Sequence, residues 1–440
     1  MKTFKALTAG LLALSAATLA SAQTKIRIVG SSAFRAATEA AIVNSLNGAQ
    51  AAWTGNANLA KAARAVFTGT LSNVAGNPAV IIQCTWSGST GGIQTVAQTS
   101  PVINSTSFLT ENNSLTNVSV VVTPGNGLTS GSAAFTGGNL ISSSVANAGN
   151  NETAQADIAM SDTAQSSTKF NGHVPFTATT LLGTFADYED LSANDYVVGV
   201  ITFQWVRGNI TNSGGAGSTG IAGLTNVTTL QAQTLLSGGM PLSAFTGVTT
   251  DTASMNILGR DEDSGTRVVT FAESAYGVET TPTQYTVSLT SGQVTNFVPT
   301  PAVASLLGFK YDAGHSGYSS GGTLATNLSA SVSSTLHTYF IGYAGVNDAA
   351  SVTGGLLLKY NGEDCSDANV KSGKYTFWSY EHLMFRSGAS ATAQAAAFAI
   401  AKQINNTDAP ASGVKVTDMT VGRFGEGLPV VSFNPFATPL

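Results

Sequence analysis

Residues 24–46 read TKIRIVGSSAFRAATEAAIVNSL, and their order sets the fold class. Thr24–Val29 alternates, with Ile26 and Ile28 on one side, as a half-buried strand does. Gly30-Ser31-Ser32 breaks it, and Phe34–Leu46 is Ala-rich with helical spacing. The unit is strand, small-residue turn, helix. It recurs at Val80–Trp86 (VIIQCTW), where SGSTGG at 87–92 leads into a helix over Ile93–Gln98. Asp157–Met160 (DIAM) is a third short strand, ending in Ser161-Asp162. Repeated units of this kind predict an α/β fold with a largely parallel sheet.

Further along, Asp195–Arg207 (DYVVGVITFQWVR) is strongly strand-like. Asn256–Leu258 leads as a strand into Arg260–Thr266 (RDEDSGT), and Val268–Tyr276 reads as a helix. Helices are also expected over Thr229–Leu236, Thr323–Leu336 and Thr392–Ile404, and a strand over Phe340–Gly345. Residues 100–155 are rich in Ser, Thr, Asn and Gly and hold no Lys or Arg, which marks an insertion of loop or β character. Asn212–Gly223 reads as a flexible surface loop.

Of 440 residues, 10% are charged, against roughly 25% in an ordinary soluble domain. The formal net charge of −5 argues against a nucleic-acid binder, which needs a basic face. A hydrophobic content of 43% supplies a core and argues against disorder. At the N-terminus, Lys2 and Lys5 precede an apolar run over Ala6–Leu19 and an A-x-A site at Ala20–Ala22. Residues 1–22 therefore read as a signal peptide, and the mature chain as periplasmic or secreted. The run is too short for a membrane span, and none follows it. In an oxidising compartment Cys84 and Cys365 either form one bridge or stay as two buried thiols.

Three turns share one chemistry. Gly30–Ala33, Ser87–Gly91 and Asp263–Thr266 each follow a strand and open a helix. A helix N-terminus presents unpaired N–H groups and the positive end of the dipole, Gly allows close approach, and Ser/Thr hydroxyls add donors. Each turn alone is also an ordinary cap. Three together, with Arg260 beside the last, make a candidate oxyanion site. The acidic run Asp261–Asp263 lacks the spacing of a calcium loop. The four histidines (His173, His315, His337, His382) have no metal spacing, and the four tryptophans read as core. No H-E-x-x-H motif is present and nothing points to a Ser-His-Asp triad, so no catalytic residue, metal or cofactor is assigned.

In these motifs the chain resembles the periplasmic phosphate-binding proteins of ABC-type phosphate uptake. GSSAF at 30–34 is similar to their first phosphate loop and GSTGG at 88–92 to their second. AMSD at 159–162, RDEDSGT at 260–266 and IGY at 341–343 follow in the family's order. The resemblance implies a type II periplasmic-binding-protein fold: two α/β lobes joined by a hinge, with a ligand cleft between them. On that reading residues 23–171 and 345–440 form lobe 1, including the insertion at about 100–155, and residues 172–344 form lobe 2. It further implies an import protein, not an enzyme, that passes inorganic phosphate or a similar oxyanion to an ABC permease. Ala33 and Phe34 would give backbone N–H groups, with Ser32 standing in for a hydroxyl lost at Ala33. Ser89 would add its hydroxyl and N–H. Asp162 would accept the anion's own proton, Arg260 would supply the guanidinium, and Ser264, Gly265 and Thr266 would complete the shell. Glu262 stands where an Asp normally steadies the arginine, and Asp263 replaces a Gly. The second reading is an extracellular or surface structural protein on the same scaffold. A secreted phosphatase or esterase is a third, weaker one.

Overall fold

A computed structural model describes residues 23–54, 59, 62–100, 106–111, 138–141, 151–168, 170, 172–176, 184–211, 220–278, 280–300, 317–406 and 413–440. The expected signal peptide, most of the 100–155 insertion and the 212–219 part of the surface loop lie outside these residues.

The opening unit forms as the sequence predicts. Strand β1 (Thr24–Gly30) runs into helix α1 (Arg35–Asn44). β2 (Leu46–Thr54), β3 (Arg64–Leu71) and β4 (Ala79–Thr85) follow, then α2 (Ser89–Ala97). β5 (Ile158–Ser161) is the short third strand, and β6 (Asp195–Arg207) is the long one. After it come α3 (Thr229–Gly238), β7 (Ser254–Leu258), α4 (Gly265–Glu273) and α5 (Gly321–Ser329). β8 (Thr338–Gly345), β9 (Trp378–Phe385) and α6 (Ala391–Asn406) complete the frame.

The fold is mixed α/β around one 13-stranded sheet, ordered β7-β8-β6-β9-β5-β1-β4-β3-β2 between two short edge strands, with two further short strands pairing β6 off this path. β1 pairs in parallel with β4 and β5, and β7 with β8. The pairs β2–β3, β3–β4, β5–β9, β9–β6 and β6–β8 are antiparallel. The expectation of a largely parallel sheet is thus corrected. β2 and β3 follow α1 as a meander, and β6 and β9 run against their neighbours. β6 joins the two ends of the sheet: Asp195–Thr202 pairs with β9, and Phe203–Arg207 pairs with β8.

Within the insertion, Thr106–Leu109 pairs antiparallel with Asn151–Ala154, and Phe108 is fully buried. The main core is continuous from Ile26 and Phe67 through Trp205 and Ile257 to Trp378 and Ile400. Helix α6 contributes buried Ala393, Ala396, Ala397, Ile400, Ala401 and Ile404, a repeat of three and four that lines one helix face. Its small residues let it lie close on β6 and α1. A second cluster around Leu324, Leu328 and Phe340 seats α5 on β8. All four tryptophans are buried, as their reading as core predicts.

Cys84 and Cys365 are free, which corrects the possible bridge. Cys84 is wholly buried in the middle of β4, between β1 and β3. Cys365 lies in a different environment, beside Tyr375 and Thr202. Burial pushes both thiols above their ordinary value, so neither is poised as a thiolate.

Candidate functional site

The three turns meet at the ends of β1, β4, β5 and β7. The Gly88 N–H donates to Gly30 O at 2.9 Å, and the Ser31 N–H to Met160 O at 2.7 Å, so the turns after β1, β4 and β5 are tied together. The turn after β7 docks on the start of α2. The Thr90 N–H donates to Asp263 O at 3.0 Å, and Thr90 Oγ1 to Glu262 O at 2.6 Å. Gly88 has φ of +103°, and a Cβ there would overlap the Asp263 carbonyl. Glycine meets both demands at once.

Asp162 is the centre of the cluster and is 1% exposed. Its Oδ1 accepts from the Ser89 hydroxyl, and its Oδ2 from Thr266 Oγ1 at 3.3 Å. A Cβ at Gly265 would overlap Asp162 Oδ1, so the glycine of the SGT turn makes room for the carboxylate. Burial raises the Asp162 pKa, while the Ser89 hydroxyl, the Arg260 charge and the Thr266 hydroxyl favour the charged form.

α2 and α4 both begin here. Ser264 caps α4 by accepting from the Arg267 N–H, which explains why the helix starts at Gly265, earlier than the expected 268. No acidic residue stands in the first turn of α1, α2 or α4. By position, the Gly265 and Thr266 amides precede the first intrahelical acceptors.

Arg260 is 2% exposed. Its Nε donates to Tyr318 O at 3.0 Å and its Nη2 to Ser319 O at 3.1 Å. Backbone carbonyls therefore orient the guanidinium, and Glu262 does not. Glu262 instead offers its own carbonyl to Thr90. The Arg260 backbone is fixed as well: its N–H donates to the Tyr343 hydroxyl at 3.2 Å, and its O accepts from Gln284 Nε2 at 3.1 Å. Tyr343 OH in turn donates to Gln284 Oε1 at 2.8 Å, which gives the tyrosine of the IGY stretch a definite task.

Ser89, Asp162, Arg260, Ser264, Gly265 and Thr266 are thus brought together. The first turn differs. The Phe34 N–H donates to Ser31 Oγ at 3.2 Å, so it is not the spare donor expected of it. Ser32 and Ala33 are half-buried at this turn, with Ala33 beside Gly345. Sequence reading missed Gln284, the Tyr318 and Ser319 carbonyls, and Glu381, which is buried next to Asp162. A lone carboxylate in WSYEHLMF is a signal, but only once that run is recognised as a buried strand.

Among the described residues no group of three or more His, Cys, Asp or Glu can hold a metal ion. His382 is buried and bonds to Asp195, with Nδ1 to Oδ2 at 2.8 Å. None of the described helices is long and apolar enough to cross a membrane.

No protein-family model matches the chain. No curated protein matches it either. Several solved structures are similar at low identity, among them the following three. One from Clostridium perfringens, assigned as a phosphate ABC transporter substrate-binding protein and solved with bound phosphate, is 11% identical with a TM-score of 0.41, over 89% of this chain and 99% of that one. An ABC-type phosphate transport receptor from Vibrio cholerae is 13% identical, TM-score 0.30, over 61% of this chain and 82% of its own. PstS from Borrelia burgdorferi is 12% identical, TM-score 0.32, over 85% and 91%.

Proposed function

We propose that the chain is a solute-binding protein that captures inorganic phosphate, or a closely similar oxyanion, for ABC-type import. The carrying observation is Asp162, buried beside Arg260 where α2 and α4 begin. Helix N-termini and a guanidinium attract an anion. A carboxylate among them repels one, unless the anion brings a proton. Phosphate at neutral pH carries at least one O–H. An ionised carboxylate is acceptor-only, and with about four lone-pair sites it has capacity left beyond Ser89 and Thr266. Sulfate has no proton to donate and would face Asp162 as an unpaired repulsion, so the site selects by rejection as well as by attraction.

Ser89, Asp162, Arg260, Ser264, Gly265 and Thr266 would form the shell, with Ser32 and Ala33 at its edge. The activity is binding without turnover. Residues 23–171 with 345–440, and 172–344, would be two lobes linked through β6, closing on the anion about a hinge. The chain would work in the periplasm or outside the cell, and the closed form would dock on a membrane permease.

Calorimetry of the anion-stripped protein against phosphate and sulfate tests the reading. One saturable phosphate per chain and much weaker sulfate are expected. In Asp162→Asn, whose amide can donate to sulfate, the phosphate preference should shrink markedly. An unaltered preference removes Asp162 from selection. A folded protein that takes up neither anion overturns the function.

A further inference from the structure

Behind Asp162 lies a second carboxyl group. Glu381 sits in β9, in the interior of the sheet, and is fully buried. β9 pairs with β5 from Phe385–Ile158 to His382–Ser161. One step further along the same antiparallel ladder sets Glu381 across from Asp162. Side chains directly opposed in this way share a face and lie close. On the other side of β9, Glu381 stands opposite Gly199 of β6, next to a bulge, where no side chain can partner it. Neither Glu381 oxygen has a hydrogen-bond partner among the described residues.

An ionised carboxylate in this position is costly twice over. It is out of water without a donor, and it faces another carboxylate. The neutral acid avoids both costs. The charged group acting on it is Asp162, just after β5; the groups acting on its β9 neighbour His382 are Asp195, Glu426 and Asp162. Asp195 is bonded to His382, and Glu426 Oε1 accepts from the Ala164 N–H. No cation is therefore free to pair with Glu381 from these elements.

We propose that Glu381 is a second carboxyl of the anion site: it holds a proton while Asp162 stays ionised, and loss of that proton as pH rises ends anion binding. The inference rests on the reading of Asp162 as the acceptor of the anion's own O–H. With Glu381 neutral, the charge state of Asp162 is set by Ser89, Thr266 and Arg260. With Glu381 ionised, both carboxyls are charged, and the second buried negative charge behind Asp162 repels the oxyanion. Burial, then the neighbouring Asp162, raises the Glu381 pKa well above its ordinary value, so the switch lies on the alkaline side of the carboxylate range.

The test compares the full protein with Glu381→Gln and with Glu381→Met, a neutral replacement of similar length. Phosphate affinity is measured by calorimetry from about pH 6 to about pH 9, and the carbonyl region of the infrared spectrum is recorded without phosphate. The titration of phosphate itself is common to all three proteins and cancels in the ratio of affinities. The expected result is that wild-type affinity falls relative to Glu381→Gln by about tenfold or more across the range, as one pKa unit of coupling requires. A free-acid carbonyl band at neutral pH should also vanish in both variants. Parallel pH profiles, or an unchanged acid band, overturn the proposal. Failure of both neutral variants to fold overturns it too, because the native state would then need the charge. If wild type binds neither phosphate nor sulfate at any pH, the functional reading falls and takes the binding half of this inference with it, and the infrared band alone decides where the proton sits.

Discussion

Helix α4 has an arginine at each end, and the two are held in opposite ways. Arg260 lies at the N-terminal end and Arg423 at the C-terminal end, each 2% exposed. Arg423 is neutralised. Its Nη1 pairs with Glu273 at 3.1 Å, its Nη2 donates to Thr376 O at 2.7 Å, and its guanidinium stacks 4.1 Å above Trp378. A cation is also welcome there, since the helix dipole is negative at that end. Arg260 receives carbonyl acceptors but makes no ion pair among the described residues. It adds its charge to the positive end of the same helix. The C-terminal end is thus closed electrostatically as a structural joint, whereas the N-terminal end keeps an attraction for an anion, countered by Asp162. Equal burial conceals this difference; the partners reveal it.

The largest expected effect falls on the closed end. Arg423→Ala leaves Glu273 buried without its partner and should cost about 3–5 kcal/mol of stability, as breaking a buried pair does. Thermal or denaturant unfolding checks this, and the folded fraction should bind phosphate as wild type does. At the open end the pattern reverses. Arg260→Ala should keep its fold and lose roughly 2–5 kcal/mol of phosphate binding, read by calorimetry. If Arg260→Ala unfolds the protein instead, or if Arg423→Ala alone abolishes binding, the two ends are not specialised as described.

Only the Arg260 end of this contrast was legible in the sequence; Arg423 and Glu273 carry no motif. β6 occupies 195–207 as expected, because a long β-branched and aromatic run has no other good use. The SGT turn announces a helix opening, whereas the close approach of Gly265 to Asp162 shows only in the structure. What was not legible is non-local. β9 is buried at every residue, so it shows no alternation and hides among apolar runs. The antiparallel course of β9 and β6 depends on partners far away in the chain, and so does the separation of Cys84 from Cys365. The residues that orient Arg260 act through carbonyl oxygens at 318 and 319, and a backbone carbonyl leaves no mark on residue type. Glu262 looked like the arginine's partner because of its place in the motif. The turn instead directs its backbone toward Thr90.

The smallest effect sharpens the contrast from the carboxylate side. Glu273 is ion-paired with Arg423, whereas Asp261 adjoins Arg260 in sequence and makes no ion pair with it. Burial pushes Asp261 up from 3.8 to about 7, against the pull of Arg260 and with the push of Asp263 and Glu262. One of its oxygens has no hydrogen-bond partner. The folded protein therefore keeps this proton to about pH 7, while the unfolded chain releases it near 3.8. Between those values the folded state binds more protons, so raising the pH lowers stability. The contribution is fully present below the unfolded value and is lost as pH rises to about 7. Asp261 is partly exposed, and water screens it, so the whole change should be on the order of 1–2 kcal/mol. Asp261→Asn cannot titrate. In phosphate-free buffer the stability of wild type relative to this variant should fall from about pH 4 to about pH 7 and stay level above that. Other buried acids titrate alike in both proteins and drop out of the difference. A flat difference across that window would mean that Asp261 is ionised beside Arg260 throughout. Arg260 would then be neutralised locally, as Arg423 is, and the N-terminal end of α4 would have no unbalanced charge with which to draw an anion.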